Sequence, residues 1–361
     1  MTKGERLIPM LAQRAFVATI SGPGIVAAVA IMFFLSGVVE LRAAPLTAEA
    51  VNRARFETGK VRRGVDPATL KAEVLLDRLH FSVGAIDGMA GQNFRKALAA
   101  FQQHNELPAS GKLDDATWNK LTQADDQPAI IDYEIAADDV EGRFADKLPT
   151  RMEQMAELPG LPYAGPREKI AEKFHMNEKL LRALNPRSSF TQSGARILVA
   201  SVAPMPQGDA TRTAGKGKPA EGQAKVAAID VDKTQQSVRA FDKDGKLLAF
   251  YPASIGSAEK PAPSGSFKVT GVASNPTYHY DPKFAFKEVK VQQKFTIKPG
   301  PNNPVGIVWI DLSAPSYGIH GTPTPETVGK AESHGCVRLT NWDALALAAM
   351  VSKGTVVRFN N

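Results

Sequence analysis

All 361 residues share a single cysteine, Cys336, and this sets the terms on which the chain can fold. No internal disulfide can form, so each domain must hold together through its apolar core. With 43% of residues apolar such cores can be built, and the length points to two or three domains. The excess of 44 Lys and Arg over 37 Asp and Glu is small for a chain this long. No aromatic-interleaved basic stripe, zinc-finger spacing or Walker-type glycine loop accompanies it. A nucleic-acid partner is therefore not expected.

The N-terminus reads as an address. Lys3, Arg6 and Arg14 precede an apolar run over 16–39, broken by Ser21-Gly22-Pro23-Gly24. That pattern suits a signal peptide as well as a membrane anchor, taken together over residues 1–48. The expected location is outside the cytoplasm, in the periplasm or cell envelope, with the inner membrane touched only through such an anchor. A thiol kept unpaired in an oxidising compartment is an argument that it works.

Four blocks follow. Leu70, Val74, Leu75 and Leu79, then Ala97, Leu98 and Phe101, fall at helical spacing around the turn Gly84-Ala85-Ile86-Asp87-Gly88. This predicts a small three-helix domain over 68–123. Residues 131–201 read as two short helices, the second stopped at Asn185-Pro186, followed by a strand at Ile197-Leu198-Val199. The Pro-, Gly-, Ala- and Lys-rich stretch 202–224 reads as a flexible linker. From 225 to 360 the texture is mainly β. A hairpin joins Ser237-Val238-Arg239-Ala240-Phe241 to Leu247-Leu248-Ala249-Phe250-Tyr251, more strands follow, and one helix comes near Asn341. Many short strands with Gly and Pro turns predict a sandwich or barrel.

Cys336 sits in Ser333-His334-Gly335-Cys336-Val337-Arg338-Leu339, sixteen positions after His320. A thiol is a nucleophile only as thiolate, and an imidazole that takes the proton supplies it. In extended backbone His334 and Cys336 share a face, so either His320 or His334 could be the base. Gly335 lets a carbonyl approach the backbone, and the N–H groups around Gly335-Cys336 can stabilise an oxyanion. Arg338 can pair with a substrate carboxylate or form a structural ion pair. These parts specify acyl transfer through a thioester. A zinc site made of His320, His334 and Cys336 and a wall-binding scaffold without activity are the competing readings.

Two resemblances sharpen this. Gly84-x-Ile86-Asp87-Gly88, Ala97-x-x-x-Phe101-Gln102 and Gly111-x-Leu113-x-x-x-Thr117 resemble the three-helix peptidoglycan-binding domain. The block at 131–201 resembles the helices and last strand of a LysM module, although its first strand, Tyr133-Glu134-Ile135, lies more than thirty residues before the first helix. His320-Gly321-Thr322, the spacing to Cys336, the Cys motif itself and Asn302-Asn303-Pro304-Val305-Gly306 are similar to the signature of YkuD-type L,D-transpeptidases. That likeness implies a mainly β catalytic domain acting on peptidoglycan stem peptides, with Cys336 as nucleophile and His320 as general base and acid. The Gly321 carbonyl would orient the imidazole, while Gly335, His334, Ser333 and Arg338 would shape the oxyanion and substrate pocket. It implies release of a terminal D-alanine and a 3→3 cross-link; water or a protein lysine as acceptor would give carboxypeptidase action or protein attachment. No metal or other cofactor is expected. The linker also implies that the catalytic part separates from the modules that hold peptidoglycan and glycan.

Overall fold

The computed structural model describes residues 46–59, 64–145, 147–205, 225–284, 291–333 and 335–361. Nearly all of the expected signal peptide or anchor, nearly all of the linker, and His334 lie outside them.

After a short helix α1 (Ala48–Asn52), the helical domain is α2 (Pro67–Arg78), α3 (Gln92–His104) and α4 (Asp115–Ala124). Asp66 and Asp114 cap α2 and α4, accepting from the N–H groups of Thr69 and Thr117 at 2.9 and 2.8 Å. Leu70, Val74, Leu75, Leu98 and Phe101 form the core. The spaced motif has a physical cause in Gln102, which is fully buried. Its amide oxygen accepts from Gly111 N–H (2.9 Å), and its NH₂ donates to the Lys112 carbonyl (2.8 Å) and Thr117 Oγ1 (2.9 Å). One side chain thus ties α3, the turn and α4 together.

The middle block is β1 (Ile130–Glu134), α5 (Ala137–Val140), α6 (Met152–Ala156), α7 (Pro166–Lys173), α8 (Glu178–Leu184) and β2 (Arg196–Ala200). β1 and β2 pair antiparallel, Ile130 opposite Ala200. The distant first strand therefore joins the last, and α5 and α6 occupy the insertion between β1 and α7. Asn185 stops α8 and fastens it to β2, accepting from Leu198 N–H at 2.7 Å and donating to the Leu198 carbonyl at 2.8 Å.

The β domain has one nine-stranded sheet and a two-stranded hairpin. Its strands are β3 (Ala228–Asp232), β4 (Ser237–Phe241), β5 (Leu247–Pro252), β6 (Ser254–Ile255), β7 (Gly265–Ser274), β10 (Val308–Leu312), β11 (Gly318–His320), β12 (Val337–Arg338) and β13 (Val356–Asn360). The sheet order is β5-β4-β3-β13-β7-β10-β11-β12-β6. β5 and β6 stand at opposite ends of this order, yet only Ala253 separates them in sequence. The sheet must curl until its ends meet, a near-barrel. Gln236 helps to close the seam, accepting from Ile255 N–H at 2.8 Å and donating to the Ile255 carbonyl at 3.1 Å. The hairpin β8 (Tyr278–Tyr280) and β9 (Phe295–Ile297) stands beside it, and α9 (Asn341–Met350) packs on β10 and β11.

The modules do not separate as the linker suggested: residues 45–361 form one compact unit. The free edge of β5 is covered by the helical domain. Ser82 N–H donates to the Phe250 carbonyl, and Phe250 N–H donates to the His80 carbonyl, both at 2.9 Å. The Phe250 ring is buried in the helical core rather than the β core. Ile86 of the helical domain pairs with Met176 of the middle block. Val202 and Met205, inside the stretch expected to be flexible, are buried, and Met205 N–H donates to the Lys173 carbonyl at 2.8 Å. Their large apolar side chains find a surface to cover, which composition alone does not reveal.

Candidate active site

Alternation in three adjacent strands builds the site. Val308, Ile310, Ile319 and Val337 face the β core. Trp309 is opposite His320, and His320 is opposite Arg338, on the other face. Cys336, one residue before β12, is therefore level with Gly318 and diagonal to His320. All four of Trp309, His320, Cys336 and Arg338 line one cavity of about 840 Å³, with Tyr278, His279 and Tyr317 among its other walls.

Glycines make the geometry possible at two points. Gly335 adopts φ +111°, a left-handed conformation that a side chain would strain. At Gly318 a Cβ would lie 2.5 Å from the Trp309 indole. The indole instead covers the bare backbone and stacks on the His320 ring, with centroids 5.3 Å apart.

His320 is buried, and its Nδ1–H donates to the Gly321 carbonyl at 2.7 Å. That bond leaves Nε2 with the lone pair. Burial first, and then the Arg338 charge, push the imidazole down to about 3, against the hydrogen bond it donates to the Gly321 carbonyl, so it is neutral at physiological pH. Burial also raises the Cys336 thiol above its usual value, while a backbone hydrogen bond from Gly318 and the Arg338 charge pull the other way. The resting pair is thus a neutral thiol and a neutral imidazole. Arg338 has its guanidinium held down by burial, and its Nε is buried without a hydrogen bond among the described residues. Tyr278 is pushed up to about 12 by burial and by Cys336.

Ser333 lines the cavity yet works mainly as a fastener. Its Oγ accepts from Gly256 N–H and donates to the Cys336 carbonyl, both at 2.6 Å. Its own N–H donates to the Gly256 carbonyl at 3.0 Å. The Cys loop is thereby stapled to the end of β6. Gly321 takes its place behind His320, where a Cβ would fall 2.2 Å from Asn341 Oδ1. His334 lies outside the described residues. Among the described residues no three His, Cys, Asp or Glu side chains gather as a metal site. Trp309 and Tyr278 were not singled out from sequence; the one available signal was the alternation leading from Gly306 through Trp309.

Residues 227–358 match the family model described as the L,D-transpeptidase catalytic domain, YkuD, and residues 65–121 match the "Putative peptidoglycan binding domain". The "Putative L,D-transpeptidase YkuD" of Bacillus licheniformis is 32% identical over 36% of this chain and 62% of its own. The "Putative L,D-transpeptidase YqjB" of Bacillus subtilis is 35% identical over 32% of this chain and 60% of its own. The chain thus spans about three fifths of the length of these curated relatives. A solved L,D-transpeptidase from Mycobacterium smegmatis aligns over 38% of this chain and 59% of its own, with 23% identity and a TM-score of 0.31.

Proposed function

We propose that this chain, which carries an L,D-transpeptidase catalytic domain behind a peptidoglycan-binding domain, cross-links peptidoglycan through a Cys336 thioester. The observation that carries the reading is the His320 Nδ1–H bond to the Gly321 carbonyl. It leaves Nε2 as the basic nitrogen in the cavity that holds the chain's one thiol.

In this mechanism His320 Nε2 takes the Cys336 proton as the sulfur attacks the carbonyl that precedes the terminal D-alanine of a tetrapeptide stem. The tetrahedral oxyanion is held by N–H groups at Gly335 and Cys336, with His334 as a further pocket residue. The imidazolium then protonates the departing D-alanine nitrogen and leaves a thioester. In the second half His320 deprotonates the side-chain amine of a second stem, which attacks the thioester, regenerates the thiol and forms a 3→3 link. Starting from a neutral pair, neither reacting side chain carries a charge before the attack, and charge develops on them only as the substrate carbonyl arrives. The unpaired Nε of Arg338 suits a stem carboxylate.

The accessory modules support action on assembled wall, because tethering raises local substrate concentration. The LysM-like β1-α7-α8-β2 arrangement would add a glycan contact. The same reading puts the protein in the cell envelope. Purified disaccharide-tetrapeptide is the test, with products read by mass. A dimer minus one D-alanine is expected. A hydrolysed tripeptide alone would make the protein a carboxypeptidase, and no product with wild-type chain would refute the reading.

A further inference from the structure

The first turn of α9, which follows the Cys motif directly, engages both accessory modules with three consecutive side chains. Asn341 Nδ2 donates to the two carboxyl oxygens of Glu172 at 3.3 and 3.1 Å. Trp342 stacks on His175, centroids 5.2 Å apart and planes 6° from parallel. Asp343 accepts from Ser82 Oγ at 2.9 Å. Glu172 and His175 belong to the middle block and Ser82 to the helical domain.

Of the three contacts, the first reaches the catalytic corner. Asn341 Nδ2 also donates to the Pro301 carbonyl, and Oδ1 accepts from Ile307 N–H, each at 3.3 Å. That oxygen is wedged against bare backbone: a Cβ would come within 2.1 Å of it at Gly306 and 2.2 Å at Gly321. The carboxamide therefore backs the peptide whose carbonyl holds His320 Nδ1. Glu172, buried on α7, receives the NH₂ end on both carboxyl oxygens, the same orientation that the Ile307 N–H and the Pro301 carbonyl require. Tyr163 Oη donates to Glu172 Oε2, the oxygen nearer Asn341 Nδ2, at 3.4 Å. Burial pushes this carboxyl up to about 8, so it stands there as a neutral acceptor rather than a buried charge.

We propose that Glu172 is a positioning residue for His320, acting across the module boundary: its carboxyl fixes the Asn341 carboxamide, and the carboxamide fixes the Gly321 carbonyl that orients the imidazole. The accessory block is then part of the catalytic apparatus as well as a tether. This inference rests on the thioester reading above.

The test is carbapenem acylation of Cys336 in the full chain, followed by mass and expressed per folded molecule. Glu172→Ala is expected to slow the limiting acylation rate about tenfold, the scale of a small misplacement of a reacting group, with the half-saturating carbapenem concentration unchanged. Glu172→Gln, which keeps an acceptor oxygen, is expected to stay within about twofold of wild type. The Glu172→Ala/Asn341→Ala double variant is expected to be no slower than the slower single variant, as for residues acting in series. Glu172→Leu keeps the packing and should be as slow as Glu172→Ala, which keeps the test decisive should the alanine variant not fold. A wild-type rate in Glu172→Leu, failure of glutamine to rescue, or single effects that multiply would each overturn the proposal. Wild-type chain that is not acylated, or Cys336→Ala that is, would instead refute the thioester reading.

Discussion

Two clusters of buried titratable groups flank the connection from β12 to α9, and they are built on opposite rules. On the cavity side, His320 and Arg338 each keep a ring or guanidinium nitrogen without a partner among the described residues, and the Cys336 sulfur meets backbone alone, donating to the Ser316 carbonyl at 3.8 Å. Nδ1 is used but Nε2 is not, and Ser333 holds the Cys336 carbonyl rather than its sulfur. On the module side, Glu172, Asp343 and His175 are bonded to Asn341, Ser82 and Asp77. Burial acts alike on both, favouring the uncharged form: His320 goes down to about 3, and Glu172 and Asp343 go up to about 8 and 7. Shifted ionisation therefore does not single out the reactive side. Unused lone pairs and donors facing a cavity do.

The strongest way to break this contrast is Cys336→Ala. Thioester formation should vanish, a loss of about 10³-fold or more in turnover, while thermal unfolding stays near wild type. Retained turnover would move the chemistry elsewhere. His320→Gln should cost about 10²- to 10⁴-fold. With His320 at about 3 and the thiol raised, the wild-type acylation rate should climb with pH towards the alkaline range. An inflection near 6.5 in that profile would show that the imidazole titrates freely, against its burial.

Removal of residues 1–224 tests the module side. It strips Phe250 of its core and bares the β5 edge, so the remaining domain should unfold several degrees lower or aggregate. An equally stable, fully reactive fragment would restore the separable arrangement that the linker composition suggests.

Stability against pH sharpens the comparison further. Glu172, at about 8 against 4.5, and Asp343, at about 7 against 3.8, keep protons in the folded state that the unfolded chain has released. Their contribution is complete below about pH 4 and is lost as pH rises through 7 to 8. His320 runs in the opposite sense. At about 3 against 6.5, its contribution is complete above 6.5 and lost as pH falls towards 3. The unfolding temperature should therefore fall from pH 6.5 to 8, and Glu172→Gln should flatten that arm. An unflattened arm would locate the alkaline loss elsewhere. The smallest effect is expected from Ser333→Ala, about 1–3 kcal/mol in denaturant unfolding, because the buried Gly256 N–H loses its acceptor.

Much of this was legible without a structure. Periodicity located α2 and α3, and the two alternating runs marked the β4–β5 hairpin. These signals are local: each depends on residues two to four apart. The insertion before α7 was visible only as a missing spacing. The burial of Val202 and Met205 was not visible at all, since a short apolar pair in a Pro- and Gly-rich stretch carries no period.

The sequence by itself determined the reagents. One thiol, two histidines at set distances from it, and glycines where backbone must pass closely specify acyl-transfer chemistry, because functional groups are a property of residue type. Only the tertiary structure decided what surrounds the cysteine. It set His320 diagonally across β11 and β12 from Cys336, with its Nδ1 turned to Gly321. It brought Glu172, 164 residues before Cys336 in the chain, against the back of the same corner. Contacts of that span depend on how separate cores pack, and no local spacing encodes them.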